Sequence, residues 1–256
     1  MKSYYLKTTR VFSPFRKYAW LFILLVAFGG LWYPKLGLLM IPMVIALALF
    51  GFFKEKYWCG NICPHGSLFD YLILPISANR KIPAFLKSKP VRYLAFGWFM
   101  FMLGSRLLKV LSLYETAPFL DRLGFIFVMN YFVVTMVGTI LAFLISPRTW
   151  CSFCPMGTFQ NIAYRVGRLL GIAQKTNRKV TITDPAKCIN CAKCARVCPM
   201  QLTPYLEFSQ SNQMSNDSCI ACASCIENCP VKILAFRREG NLPANIEGEK
   251  EKVIAR

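Results

Sequence analysis

Four long apolar stretches constrain this chain more than any other feature. A helix that crosses the roughly 30 Å hydrocarbon core of a bilayer needs about 20 apolar residues. Tyr18 to Tyr33, Leu36 to Phe53, Tyr93 to Leu113 and Leu123 to Ser146 all approach that length. The first two are joined by a tight Pro34–Lys35 turn, the third carries Arg106 and Lys109, and the fourth is free of charge. Lipid offers no partners to backbone N–H and C=O groups, so such stretches must be helices. With 55% of its 256 residues apolar, the chain reads as an integral membrane protein. The formal net charge of +19 fits that reading without invoking nucleic acid, because the basic residues lie beside the apolar runs, where anionic headgroups would meet them.

The lysine and arginine bias sets an expected orientation. Lys2, Lys7, Arg10, Arg16 and Lys17 precede the first run; Lys54, Lys56, Arg80, Lys81, Lys87, Lys89 and Arg92 separate the second from the third; Arg148, Arg165, Arg168, Lys175, Arg178 and Lys179 follow the fourth. The other side holds only Lys35 and Arg122, the latter offset by Glu115 and Asp121. Both termini are therefore expected on the cytoplasmic side of a multi-pass membrane protein. No A-x-A-like cleavage site follows the polar, basic first seventeen residues.

Each pair of apolar runs leads into a related signature, WCGNICPHGSLF after the second and WCSFCPMGTFQ after the fourth. The repeat predicts two pseudo-symmetric hairpins whose Cys59, Cys63, Cys151 and Cys154 lie on one membrane face. Ser67 and Thr158 read as N-caps of short surface helices, Ser67 to Ile76 and Thr158 to Leu170.

Beyond about Ile182 the apolar runs stop, and two further cysteine runs appear, Cys188-INCAKCARVC-Pro199 and Cys219-IACASCIENC-Pro230. Each is C-x2-C-x2-C-x3-C-P, the run that holds [4Fe-4S] clusters in two-cluster ferredoxins, the fourth cysteine ligating the other cluster. The spacing assigns cluster one to Cys188, Cys191, Cys194 and Cys229, and cluster two to Cys198, Cys219, Cys222 and Cys225. Paired zinc knuckles need only four thiolates per ion and leave the doubled run unexplained. Small residues such as Ala192, Ala221 and Ala223 leave room for a cubane and for backbone N–H groups to reach its sulfurs.

The expected fold is thus α-helical in the membrane, four helices in two hairpins, with a C-terminal α+β two-[4Fe-4S] ferredoxin domain. Its divisions are a basic arm (1–17), a membrane domain (18–180), a ferredoxin domain (181–237) and a polar, mobile tail (238–256).

This combination of helices, C-P signatures and double ferredoxin run resembles the NapH/MauN group of membrane ferredoxin-type proteins, over the chain up to about Arg237. Related membrane halves occur in NosR and CcoG. The resemblance implies a prokaryotic inner-membrane protein of quinol-dehydrogenase type, which oxidises quinol and passes electrons to a ferredoxin-type or terminal-reductase partner. The second signature, Cys151-S-F-Cys154-Pro155, departs from the group's C-x3-C-P by one residue. The oxidase-assembly relative suggests the alternative of an iron–sulfur assembly factor that reduces a metal or thiol on a client enzyme.

Three readings stand for Cys59, Cys63, Cys151 and Cys154: a third Fe–S cluster or metal, redox-active thiols, or small buried residues. His65 is the single histidine, which excludes a bis-histidine haem, and no C-x-x-C-H exists for haem c; its simplest reading is a locally hydrogen-bonded loop residue. Arg106 and Lys109 share a helix face and form a candidate quinone contact, or else snorkel or pair with Glu115 or Asp121. Asn130 reads as interhelical glue.

Overall fold

A computed structural model describes residues 4–112, 114 and 118–239, so Glu115 and most of the tail lie outside the described residues. Four helices are long and apolar enough to cross a membrane: α1 (Pro14–Trp32), α2 (Pro34–Phe53), α3 (Lys89–Leu111) and α4 (Phe119–Leu144). All four begin at or beyond the polar edge of the apolar run that predicted them. The reason is local: Pro14, Pro34 and Pro90 each occupy the first turn of their helix, where the missing N–H costs nothing, and Ser13 caps α1 by accepting from the Arg16 amide. Within α1 the hydrogen bonding passes into a π-helical turn at Leu24–Gly29.

The helices pack through small residues. A side chain at Gly37 would collide with the Gly124 backbone of α4, and one at Gly124 with the Pro34 carbonyl, so the α1–α2 turn and α4 meet backbone to backbone. Ile23, Val26, Ala27 and Tyr131 form the buried centre between α1 and α4. The outward faces stay apolar: Leu94, Trp98, Phe101 and Leu108 of α3 are 67–76% exposed, as a lipid-facing surface requires. Asn130 does not bridge helices as expected; its amide donates to the Ile126 carbonyl one turn back on α4.

After α4 the chain turns through Trp150–Ser152 into α5 (Pro155–Leu169), an amphipathic helix packed on the end of α2. Strand β1 (Arg178–Ile182) then pairs antiparallel with β2 (Leu234–Arg238), Val180 opposite Phe236. Between these strands lie both C-terminal cysteine runs, around a core of Val180, Ile182, Met200, Leu202, Met214, Ile220, Ile233 and Leu234.

Candidate iron–sulfur and thiol sites

The two C-terminal runs fold into matching loops. Asn190 and Ala192 in the first and Ala221 and Ala223 in the second all have positive φ, between +49° and +64°. So do Gln201 and Lys232, each three residues beyond the last cysteine of its run. Left-handed backbone costs a non-glycine residue about 1–2 kcal/mol, and it persists where the surroundings demand it. Here it curls successive N–H groups toward the sulfurs, forming a concave nest suited to an anionic centre. The Leu202 amide, for example, donates to Cys198 Sγ at 3.5 Å.

The thiols separate into two cavities. One is lined by Cys188, Cys191, Cys194 and Cys229, the other by Cys198, Cys219, Cys222 and Cys225. All-thiol donors in a mostly apolar wall suit a [4Fe-4S] cubane. Burial pushes the Cys198 and Cys219 thiols up to about 12, so cluster binding must displace protons there.

The membrane-face cysteines also converge. Cys63 and Cys154 have nearly identical backbones (φ −53°, ψ 123° and φ −55°, ψ 127°), and each is the N-cap of a helix whose first residue is proline. The expected caps, Ser67 and Thr158, lie inside those helices: Ser67 donates to the Arg16 carbonyl and Thr158 to the Cys154 carbonyl. The correction has a physical cause. Proline at the first helical position carries no N–H and suits the start of a helix, so the C-P dipeptide starts the helix and puts a sulfur where amides point. Cys59 Sγ lies 3.6 Å from Gln160 Oε1 of α5, and Arg148 Nη1 donates to both the Cys59 carbonyl (3.0 Å) and Cys151 Sγ (3.6 Å). Burial, reinforced by the Cys63, Cys154 and Cys151 thiols, raises the Cys59 thiol well above its ordinary value, and burial takes Cys154 up to about 12.

This quartet abuts the second ferredoxin loop. A Cβ on Gly60 would overlap the Ile220 carbonyl, and Asn61 Nδ2 donates to the Ala221 carbonyl at 3.2 Å. Cys59 and Cys151 pack against the same core as Cys198, Cys219 and Cys225. Two further anchors hold the ferredoxin loops in place. Arg92 at the start of α3 bonds Asp217 (3.1 Å) and Ser218 (2.7 Å), and Gln201 bonds the Ile82 amide and the Arg80 carbonyl, each at 2.8 Å.

Other expected residues fall elsewhere. Arg106 and Lys109 are exposed on α3, and Arg106 is about 21 Å of helix rise beyond Arg92, so the fold does not bring them to the thiols. His65 is buried in the turn Pro64–Ser67, and its bond is not local: Nε2 meets Thr135 Oγ1 of α4 at 2.9 Å. That hydroxyl is also 2.8 Å from the Tyr131 carbonyl, and burial pushes the imidazole down to about 4, leaving it neutral at pH 7.

The basic residues are the largest correction. Arg10, Arg16, Lys56, Arg92 and Arg148, expected to face headgroups, are 0–5% exposed. Three of them surround Asp70, a residue that carried no expectation; an acidic residue seven positions beyond Cys63, in a mostly basic connection, was the available signal.

Comparison with known proteins agrees with this geometry. The family described as a 4Fe-4S binding domain matches residues 36–83 and 131–173, the two segments that carry the C-P signatures, and the 4Fe-4S dicluster domain matches 180–230. The ferredoxin-type protein NapH of Haemophilus influenzae is 27% identical over 167 residues, 64% of this chain.

The chain resembles NapH-type ferredoxin proteins.

The family matches make it an iron–sulfur protein with two [4Fe-4S] clusters, and four of its helices are long and apolar enough to cross a membrane. It spans about half (54%) of the relative's length. No solved structure matches it significantly.

Proposed function

We propose that the protein relays electrons between a membrane quinone pool and a redox partner, in quinol-dehydrogenase fashion. The observation that carries the reading is the direct seat of the Gly60–Asn61 turn on the Ile220–Cys222 loop, which puts the loop of the membrane-face thiols in contact with the loop of the ferredoxin. In this reading 1–17 is an arm, 18–180 the membrane domain, 181–237 the ferredoxin domain and 238–256 a tail. Cys188, Cys191, Cys194 and Cys229 hold cluster one, and Cys198, Cys219, Cys222 and Cys225 hold cluster two. The matched Cys63 and Cys154 caps support a pseudo-twofold relation between the hairpins. The lysine and arginine bias supports a cytoplasmic ferredoxin domain in an inner membrane.

Cys59, Cys63, Cys151 and Cys154 hold a third Fe–S centre. Buried thiols raised in this way are poor nucleophiles, which disfavours redox-active thiols, whereas N-cap amides at two helices and the Arg148 donor suit metal-bound thiolates. When bound, such centres supply single-electron transfer. The polar groups on the bundle side of this site are His65, Thr135 and Tyr131, whose hydroxyl is buried without a hydrogen-bond partner among the described residues. They, and not the distant Arg106 and Lys109, are where a quinone head group meets the relay. The partner is a ferredoxin-type or terminal-reductase protein.

The test is an anaerobic iron and acid-labile sulfide count with EPR on the wild type and on the Cys59→Ser, Cys151→Ser double variant. About twelve irons falling to about eight is expected for three four-iron centres. About eight in both would remove the third centre. If fully loaded protein, reduced with dithionite, is not reoxidised by any quinone analogue, the quinone relay fails and the assembly-factor reading takes its place.

A further inference from the structure

The Asp70 side chain is completely buried in the π-helical turn Leu68–Ile73, and three arginines meet it, two from the N-terminal segment and one from beyond α4. Arg10 approaches Oδ1 at 3.8 Å, Arg16 of α1 contacts Oδ2, and Arg148 grips both oxygens at 3.2 and 2.5 Å. A buried ion pair already pays a desolvation penalty, and among the described residues Asp70 is the one carboxylate paired with these three guanidiniums, which leaves a surplus of positive charge. Nε and Nη1 of Arg10 are buried without a hydrogen-bond partner among the described residues.

The surplus charge points at sulfur on two sides. Arg148 touches one cysteine from each half of the quartet, Cys151 through Sγ and Cys59 through its carbonyl. Arg10 Nη2 donates to the Leu6 carbonyl at 3.4 Å, and the Leu6 amide donates to the Arg196 carbonyl at 2.8 Å, two residues before Cys198 of the cluster-two cavity; Cys59 and Cys151, beside Arg148, pack on the same core as Cys198, Cys219 and Cys225. The cation group therefore stands between the two sites, in an interior where salt screens little.

We infer that Arg10, Arg16 and Arg148, held together by Asp70, are a fixed counter-charge shared by the thiol quartet and cluster two, and that they raise the reduction potential of both. Four thiolates make such a centre anionic, and each electron it accepts adds one negative charge, so a neighbouring cation favours the reduced form. Guanidinium keeps its proton at any physiological pH, so the effect is constant. Asp70 is a positioning residue: it holds three mutually repelling cations in one place and partly offsets them. The quartet half of this inference rests on the proposed third centre; the cluster-two half does not.

EPR-monitored redox titration of the intact protein in detergent tests it. Arg16→Met removes one charge and leaves Asp70 paired twice. It should lower the one-electron reduction equilibrium of cluster two about tenfold, which is about 59 mV, with a smaller shift at cluster one. Asp70→Asn should shift cluster two the opposite way, and the Asp70→Asn, Arg16→Met double variant should return near the wild-type value. That double variant keeps the test intact if Asp70→Asn alone does not fold. An unmoved cluster two in Arg16→Met, a double variant that shifts as far as Arg16→Met alone, or an equal shift at cluster one would overturn the inference. If the quartet gives no signal while cluster two responds as stated, the third centre is refuted and the counter-charge role at cluster two stands.

Discussion

Replacing Gly60 with alanine probes the contact on which the relay depends. The added methyl would overlap the Ile220 carbonyl oxygen and lie 2.9 Å from its carbon and 3.3 Å from the Cys222 amide nitrogen. Non-bonded carbons rest about 3.5–4.0 Å apart, so the two loops must separate by roughly 1 Å. No side-chain rotation relieves the clash, because every atom involved is backbone and the loop is pinned by Asn61 and, through Asp217 and Ser218, by Arg92. Overpacking of this kind costs about 1–3 kcal/mol, and each kcal/mol lowers the melting temperature of a chain this size by about 2–4 °C. Gly60→Ala should therefore melt earlier in detergent, keep its full iron content, and be reoxidised more slowly by a quinone analogue in stopped flow. Wild-type melting together with a wild-type reoxidation rate would refute the reasoning.

Asp70→Asn should destabilise the protein by about 3–5 kcal/mol, the usual cost of orphaning a buried charge, measurable by chemical denaturation. Burial acts to raise the Asp70 pKa, but Arg148 and Arg16 outweigh it and hold the carboxyl below its unfolded value. Its stabilisation is therefore complete at neutral pH and should fade as pH falls below about 3.9 toward the lower folded value, a loss that Asp70→Asn should not show. Arg92→Met should cost about 1.5–3 kcal/mol for the charged hydrogen bonds lost to Asp217 and Ser218, and hydrogen exchange should quicken in the 217–222 loop. Ala223→Val places a β-branched residue at φ +64°; the cluster-two EPR signal should weaken while that of cluster one persists.

The parts of this protein that were legible in the sequence are those whose physics is local. Apolar length predicts a spanning helix because lipid leaves the backbone no other partner, and x2 spacing predicts a cluster loop because three thiols must curl around one small object. The Arg10, Arg16 and Arg148 group was not legible. A basic residue beside an apolar run looks the same whether it meets a headgroup or a buried carboxylate, and Asp70 is 54 residues from Arg16 and 78 from Arg148. His65 is similar: its neighbours suggested a loop residue, but its partner Thr135 is 70 positions away. Ser67 and Thr158 misled for the opposite reason, since both are good caps and the proline after each cysteine starts the helix one turn earlier.

The amino-acid sequence by itself determined the chemistry available: four helices apolar enough to span a membrane, eight thiols at ferredoxin spacing, four more in a repeated C-P signature, and a family that the pattern resembles. Only the tertiary structure decided which groups face one another. It set the Gly60 turn against the Ile220 carbonyl and drew three arginines inward around one carboxylate between two sets of thiols. Such placements depend on contacts between residues far apart in the chain, stabilised only when the whole bundle excludes water, and no local pattern records them.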